Sequence, residues 1–434
     1  MDNLLAGFLL VSVLITVSQT YDTSNASALE TFLKSSYHKN VRPSETTKVD
    51  LGAGLFHITS LDIVSQQMFL AGYIYCSWTD DRLKWTASDY GGLSVTQMKM
   101  SDVWVPPLVL NNAANGIELI SDYDGMAGSY VTVSAGIVLW VTAANIVSQC
   151  TVDITYYPFD QQRCFMIFTS WSYSAAEVSL FTTSTSLLLD LYEENGEWDL
   201  VTAGLENYTR TVGETPLPGV RFSLLLRRKY SYYMMNMILP VIILAVVGAF
   251  VFVLPIESGE KIGFALTILL SMSVVMTTVS DNIPPISTQT CQLSVYTLVV
   301  FIICSVETLC TVLSCQVHSY HAKGYIPGSR LQKLILTVAK ISCYGRPRSG
   351  ADDTRSNTKS LSEKKYTKED LGEKKKAWEG NDGNYDVKGE NIAYTYEECA
   401  FIFDRVNFFV FLIVQTATTT AFFIALQMGG ANQF

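Results

Sequence analysis

Four apolar stretches constrain this chain more than any other feature: roughly Tyr232 to Leu254, Ile262 to Val279, Leu293 to Val317 and Val406 to Leu426. Each is near the length that a helix needs to cross a hydrocarbon core about 30 Å thick. With 434 residues, 49% of them hydrophobic, and a positive mean hydropathy, the composition leaves room for a sizeable soluble part. A shorter apolar run, Leu4 to Val17, is followed by polar residues and reads as a secretory signal. The sequons at Asn25 and Asn207 precede the first stretch and are candidate glycan acceptors. Lys323, Arg330, Lys333, Lys340, Arg346 and Arg348 follow the third with no acid among them. Both signs put the N-terminal part outside and the loop after the third stretch inside. The chain thus divides into a signal segment 1–20, an extracellular domain 21–230, three membrane helices in 231–321, a partly disordered cytoplasmic loop 322–400, and a fourth helix with a short extracellular tail in 401–434.

The second stretch carries polar groups where lipid penalises them. Glu260, Gly263, Thr267, Leu270, Val274, Thr277 and Asp281 recur every three or four residues and share one helix face. The intervening Phe264, Ile268, Leu269, Met272, Val275 and Val279 are bulky and apolar. At about 1.5 Å per residue the two acids lie roughly 31 Å apart, one at each edge of a bilayer core. The stripe suits a water-filled pore wall; the alternative is a bundle-facing helix whose hydroxyls bond back to its own carbonyls. The extracellular part holds 22 Asp and Glu against 13 Lys and Arg, either a vestibule that gathers cations or a solvated acidic surface.

From Leu51 to Leu226 the pattern is short alternating runs, among them "YIYCSW", "CFMIFTSW" and "VRFSLLL", broken by turns. It favours an antiparallel β-sandwich. Cys150 and Cys164 are spaced to close a loop between two such strands, which would stabilise by about 3 kcal/mol on chain entropy. Cys76 alternates with Ile74 and Trp78 and reads as a buried free thiol, with Tyr73 and Tyr75 on the opposite face. Cys291, Cys304, Cys310 and Cys315 read as small apolar fillers of the third span, and Cys343 and Cys399 as candidates for palmitoylation. Glu307 reads as a bundle-facing polar contact. There is no HExxH, GxSxG, glycine-rich phosphate loop or zinc-spaced cysteine cluster, so an enzyme reading has nothing to stand on, and neither a cofactor, a metal nor a nucleic-acid partner is expected.

The disulfide-spaced loop with "YYPFD" inside it, "SWTDDRLKW", "SWSY", "NGEWDL", "LLRRKYSYY" before Pro240, "SGEKI" and "FDRVNFF" together resemble the Cys-loop pentameric ligand-gated ion channels. The second span is similar to that of nicotinic acetylcholine receptors, with Gly259-Glu260 where anion-conducting relatives tend to carry Pro-Ala. The resemblance implies a pentamer of β-sandwiches and four-helix bundles around a central, cation-selective pore. The striped face would line it, with Glu260 and Asp281 as acidic rings and Leu270 with Val274 as an apolar girdle that closes by dewetting. Tyr157, Pro158, Phe159 and Asp160, the Asp62 to Gln67 turn, Arg227, and the Ile283 to Ile286 link with Pro284 and Pro285 would couple the domain to the pore. Simple anchoring at lipid headgroups is the alternative for Arg227 and Arg228. Implied partners are an extracellular small molecule, permeant monovalent cations, membrane lipids, and further copies of itself or related subunits.

In relatives that bind acetylcholine, an aromatic box at the subunit interface holds the quaternary ammonium. Here Trp171 matches the central tryptophan, and Tyr73 with Tyr75 the complementary side. Asn111 stands where the first principal-side tyrosine is usual and Pro107 where an aspartate is usual. The later loop, "NYTRTVGETPLPGV", has no adjacent cysteine pair, carries Leu217 at a position commonly tyrosine, and keeps Tyr208. These departures argue against acetylcholine. They leave a channel for another ligand or an accessory subunit that needs a partner for gating, and Trp171 could instead be a core tryptophan.

Overall fold

The computed structural model describes residues 22–117, 119–122, 130–213, 215–286, 288–323, 327–328, 332 and 394–431. The expected signal segment, Cys343 and the greater part of the expected inner loop lie outside the described residues. The chain divides into two compact units, one of residues 1–238 with 277–295 and 422–434, the other of 239–276 with 296–421.

The first unit opens with helix α1 (Thr23–Ser35), which the sequence reading did not anticipate. Asp22 caps it by accepting the Ser24 N–H at 2.9 Å, and Leu29 and Leu33 are the buried side chains. Ten strands follow: β1 (Thr47–Asp62), β2 (Gln67–Thr79), β3 (Thr96–Lys99), β4 (Leu108–Leu110), β5 (Tyr130–Ser134), β6 (Ile137–Gln149), β7 (Gln161–Ser170), β8 (Val178–Phe181), β9 (Trp198–Val212) and β10 (Thr215–Arg228). One sheet has the order β3-β5-β6-β2-β1-β8 and the other β4-β7-β10-β9. Every ladder is antiparallel except β1 with β8, which is parallel.

Alternation decides which face is buried. On β7 the inward set is Gln162, Cys164, Met166 and Phe168, and on β10 it is Val220, Phe222, Leu224 and Leu226; Phe168 and Phe222 meet at 4.8 Å between ring centroids. On β2, Ile74, Cys76 and Trp78 are buried as expected, and Trp78 meets Trp104 edge-on. Cys76 is a free buried thiol, pushed up by desolvation. The disulfide Cys150–Cys164 joins the residue after β6 to β7. On the other face of β2, the Tyr73 and Tyr75 rings lie over Gly54 and Gly52 of β1, so close that a Cβ there would fall 2.3 and 2.1 Å from ring atoms.

Among the described residues four helices have the length and composition of membrane spans: α2 (Ser231–Val253), α3 (Lys261–Asp281), α4 (Gln292–Ala322) and α5 (Tyr396–Ala431). In α2 a π-helical turn, Met234–Ile238, runs into Pro240, whose missing N–H leaves the Asn236 carbonyl without its regular partner; the wider turn accommodates the break. Helix α5 begins at Tyr396, ahead of the expected 401. Thr395 and Glu398 form a reciprocal cap, the Glu398 N–H donating to Thr395 Oγ1 and the Thr395 N–H to Glu398 Oε2. Cys399 is buried on this helix, which corrects the palmitoylation reading, since an acyl acceptor must reach the membrane surface. Cys291 precedes α4 rather than lying within it.

The second unit packs Ala249, Val251, Phe252, Ala265 and Phe411 into one cluster, with Phe252 and Phe411 stacked at 5.5 Å. Buried Lys261 donates to Asp404 at 2.5 Å, tying the first turn of α3 to α5. Glu307 is buried in the bundle, with a carboxylate oxygen 2.8 Å from where a Cβ on Gly248 would sit, so a larger residue there would have to displace that carboxylate.

Gly54→Val should force the Tyr73 ring off β1 and lower stability by about 1–3 kcal/mol, the usual cost of overpacking. Gly196→Ala, where a Cβ meets nothing within 4 Å, should be neutral to within about 0.5 kcal/mol. Thermal unfolding of the purified chain checks both.

Candidate ligand face, junction and pore face

The register of β7, β10 and β9 builds the outer face of the four-stranded sheet in rows: Thr169–Gly219–Tyr208, then Ile167–Arg221–Glu206, then Phe165–Ser223–Gly204. Trp171 follows β7, held by its N–H on the Pro107 carbonyl at 3.0 Å. Its side chain is 62% exposed, so it is not a core tryptophan. Asn111 is half-buried and tied to its own sheet, its Oδ1 accepting from Thr169 Oγ1 at 2.9 Å. Leu217 is half-buried opposite Arg210, and Tyr208 is half-buried opposite Gly219.

Tyr208 has a cation on its ring already. The Arg221 guanidinium lies 5.3 Å from the Tyr208 centroid and 5.0 Å from that of Phe165, and its Nε donates to Glu206 Oε1 at 2.5 Å. That hydrogen bond holds the Glu206 carboxyl below the usual carboxylate range. Tyr73 and Tyr75 belong to the other sheet, where Tyr73 lies 5.5 Å from Phe56 and the Tyr75 hydroxyl 3.3 Å from Ser184 Oγ. Burial raises the Tyr73 phenol. Among the described residues no hydrogen bond or ring contact joins these tyrosines to Trp171, Tyr208, Asn111 or Leu217 within one chain.

A second cluster gathers three of the sequence landmarks around one arginine. Arg228, 3% exposed, donates from Nε to Asp160 Oδ1 at 2.8 Å and from Nη1 to Glu197 Oε1 at 2.8 Å. Its guanidinium lies 4.1 Å from the Trp198 ring centroid, 5.0 Å from Tyr157 and 5.2 Å from Tyr233. Desolvation opposes the charge, yet Asp160 outweighs it and the guanidinium is held more firmly protonated than usual. Arg227, which the sequence reading chose, points outward, with Asp199 at 3.6 Å and more than half of its side chain exposed.

From this cluster the disulfide loop reaches several helix ends of the same unit. Buried Tyr157 donates to Met237 Sδ at 3.8 Å, and Phe159 meets Tyr230 at 4.8 Å. The Ile154 N–H donates to Gln289 Oε1, and the Gln292 N–H to the Thr155 carbonyl. The Tyr156 ring fills the notch at Gly429, where a Cβ would fall 1.8 Å from it. The Asp62 to Gln67 turn joins through the Gln66 carbonyl, which accepts from the Cys150 N–H at 2.8 Å. In the link after α3, Pro284 is buried and Pro285 exposed, and the Ile286 N–H donates to the Pro284 carbonyl.

Glu260, just before α3, and Gly263, Thr267, Leu270, Val274, Thr277 and Asp281 on it are all exposed, with Leu270 at 66% and Val274 at 59%. Ala265, Ile268, Met272 and Val279 are buried, and exposed Leu266 stands on the flank. Thr267 Oγ1 does bond back to the Gly263 carbonyl at 2.8 Å, but the face that carries it is turned away from this chain's own bundle. Of the expected glycan acceptors, Asn25 donates to Asp22 against Gly91, and the Asn207 amide is bonded to the Thr182 backbone as both acceptor and donor.

Arg228→Gln leaves Asp160 buried without its counter-charge and should cost about 3–5 kcal/mol. Arg227→Gln, at an exposed pair, should cost less than about 1 kcal/mol. The yield of assembled protein after detergent extraction, with its thermal inactivation, separates the two.

Comparison with known proteins agrees with this layout. Residues 26–230 match the neurotransmitter-gated ion-channel ligand binding domain, and residues 237–401 the neurotransmitter-gated ion-channel transmembrane region. The chain is 28% identical to the human neuronal acetylcholine receptor subunit beta-3, over 98% of this chain and 99% of that one. It is 30% identical to the bovine neuronal acetylcholine receptor subunit alpha-3, over 80% of this chain and 70% of that one. With the acetylcholine receptor subunit beta-like 1 of Drosophila melanogaster the identity is 33%, over 72% of this chain and 61% of that one. A β-sandwich with its disulfide loop, an extracellular ligand-binding domain by family, and four apolar helices therefore make one statement: this chain belongs to the neurotransmitter-gated ion channels of the Cys-loop type, and within them it resembles the nicotinic receptor subunits.

Proposed function

We propose that this chain is a subunit of a cation-selective channel in which five copies of α3 surround the pore and an extracellular ligand other than acetylcholine acts between neighbouring subunits. The observation that carries it is the exposed stripe of α3. Its acid, hydroxyl and apolar positions are all exposed, while Ala265, Ile268, Met272 and Val279 on the opposite side are buried in the bundle, a division that suits five-fold closure around water. Glu260 and Asp281 would then face the permeant monovalent cations, and Leu270 with Val274 would form the closing girdle.

The ligand reading follows from the two separate groups of side chains. Trp171, Tyr208, Asn111 and Leu217 on one sheet with its adjoining loops, and Tyr73 and Tyr75 on the other, come together only if the face of one copy meets the other face of its neighbour. Tyr157, Pro158, Phe159, Asp160, Arg227, Pro284 and Pro285 would carry the signal, with Arg228 as the fixed point. Glycans on Asn25 and Asn207 and membrane lipids against α2, α4 and α5 complete the partners. The segment boundaries 1–20, 21–230, 231–321, 322–400 and 401–434 stand as the topology of this reading, shifted to Tyr396 at the start of the last helix.

An accessory role is the second reading, favoured by Asn111 being tied to Thr169 and Tyr208 to Arg221. Expression of the chain alone, with current recording, separates a self-sufficient channel from a partner-dependent one.

The ion selectivity has its own test. Leu270→Thr should wet the girdle and so supply an open pore without an agonist. In that background Glu260→Ala should lower the sodium conductance and shift the reversal potential in a sodium dilution series more than Asp281→Ala does. A pore with both acids intact that reverses at the chloride potential would sink the assignment.

A further inference from the structure

The outer face of β9 and β10 carries more positive charge than the domain around it. The domain as a whole is acidic, with 22 Asp and Glu against 13 Lys and Arg over residues 21–230. On the stretch of this face between Leu217 and Leu225, Arg210 stands opposite Leu217, Arg221 opposite Glu206, and Arg163 opposite Leu225, three guanidinium groups beside the one carboxylate of Glu206; farther toward the strand end Arg227 is paired with Asp199. Arg210 is exposed and has no ion-pair partner among the described residues. An isolated basic patch on an acidic domain steers and orients anions locally.

Arg221 occupies the slot that a cationic ligand would need. Its guanidinium lies over the Tyr208 ring, so an ammonium brought to that ring meets a like charge at close range, near a surface where screening is incomplete. The same side chain is fixed on one edge only. Its Nε donates to Glu206, while its two terminal nitrogens have no acceptor among the described residues, and about a third of the side chain is open to solvent. Held between Phe165 and Tyr208, the planar fork is already oriented, which suits a carboxylate more than a mobile lysine would.

We infer that the ligand of this face carries an anionic group, a carboxylate in the simplest case, which Arg221 receives with Arg210 alongside while the rest of the ligand lies against exposed Trp171. The inference rests on the reading of this face as the ligand site and narrows the ligand from amines in general to acid-bearing ones. Asn111 is not used in it: its side-chain oxygen accepts from Thr169.

The test uses the purified full-length chain and two probes that share a cation and differ by an acid: butyltrimethylammonium and γ-(trimethylammonio)butyrate. Affinities are read by thermal shift across a concentration series. The acid-bearing probe should bind on the order of tenfold more tightly, the gain expected of a charge-assisted contact. Arg221→Gln should erase that preference, Arg221→Lys should restore only part of it, and Glu206→Gln should strengthen it by freeing the guanidinium. Trp171→Ala should weaken both probes. Equal affinity for the two probes, a preference that survives Arg221→Gln, or binding of neither probe overturns the inference. If Trp171→Ala leaves both affinities unchanged, the face is not the ligand site and both readings fall. If it weakens both while the Arg221 variants change nothing, only the ligand class is wrong.

Discussion

The buried pair of Asp160 and Arg228 is the point on which the first unit depends. A guanidinium and a carboxylate taken out of water lose hydration that their mutual attraction restores only when the remaining donors and acceptors are met. Here they are. Glu197 takes Nη1, Gln162 donates to Asp160 Oδ2, and the Trp198, Tyr157 and Tyr233 rings surround the charge. The pair joins the disulfide loop to the last residue of β10, which runs directly into α2. Strand and loop therefore cannot move separately, and Tyr156, Tyr157, Phe159, Ile154 and Thr155 carry that rigidity to the surrounding helix ends. On the proposed reading this clasp would serve transmission, passing a displacement of β10 on to the loop instead of absorbing it.

The proposed ligand face and the striped face of α3 follow different physics. On α3 the chemistry is spread along a helix at a constant interval, so one periodicity sets all seven positions at once. On the sandwich it is spread over three strands and two loops, and each side chain has a local partner that modifies it. Tyr208 is shielded by Arg221, Asn111 is held by Thr169, and Tyr73 and Tyr75 cover glycines of the neighbouring strand. Trp171 alone is left fully presented. If this face is the ligand site as proposed, its already engaged aromatic groups would favour a ligand that brings charge and hydrogen bonds rather than a bare quaternary ammonium.

How much of this was legible follows from the same contrast. Alternation along "CFMIFTSW" separates Cys164, Met166 and Phe168 from Phe165 and Ile167, and the structure keeps that division. The disulfide, the free Cys76 and the four spans were legible for equally local reasons. Helix α1 was not, because it buries only two leucines and its sequence lacks a strong apolar stripe. The resemblance points to Arg227, whereas the arginine buried at the junction is Arg228. Steps of two from Val220 pass through Phe222, Leu224 and Leu226 to Arg228, all buried, while the irregularity near Leu225 is taken up in the pairing with β9. The same count places Arg221 on the outer face. What no periodicity could reveal is that Arg221 reaches across to Tyr208, because that contact depends on a neighbour thirteen residues away in another strand.

The central claim is that the striped face of α3 meets water in the assembled protein. Single cysteines placed along 263–279 can be exposed, in lipid nanodiscs, to a charged thiol reagent that does not enter the bilayer, with the modified position read by mass spectrometry. The account expects rapid labelling at Gly263, Thr267 and Thr277, slower labelling at Leu270 and Val274 in the closed girdle, and protection at Ile268, Met272 and Val279. Labelling at Met272 and Val279 with protection of Gly263, Thr267 and Thr277 would mean that another face lines the aqueous path, and would contradict it.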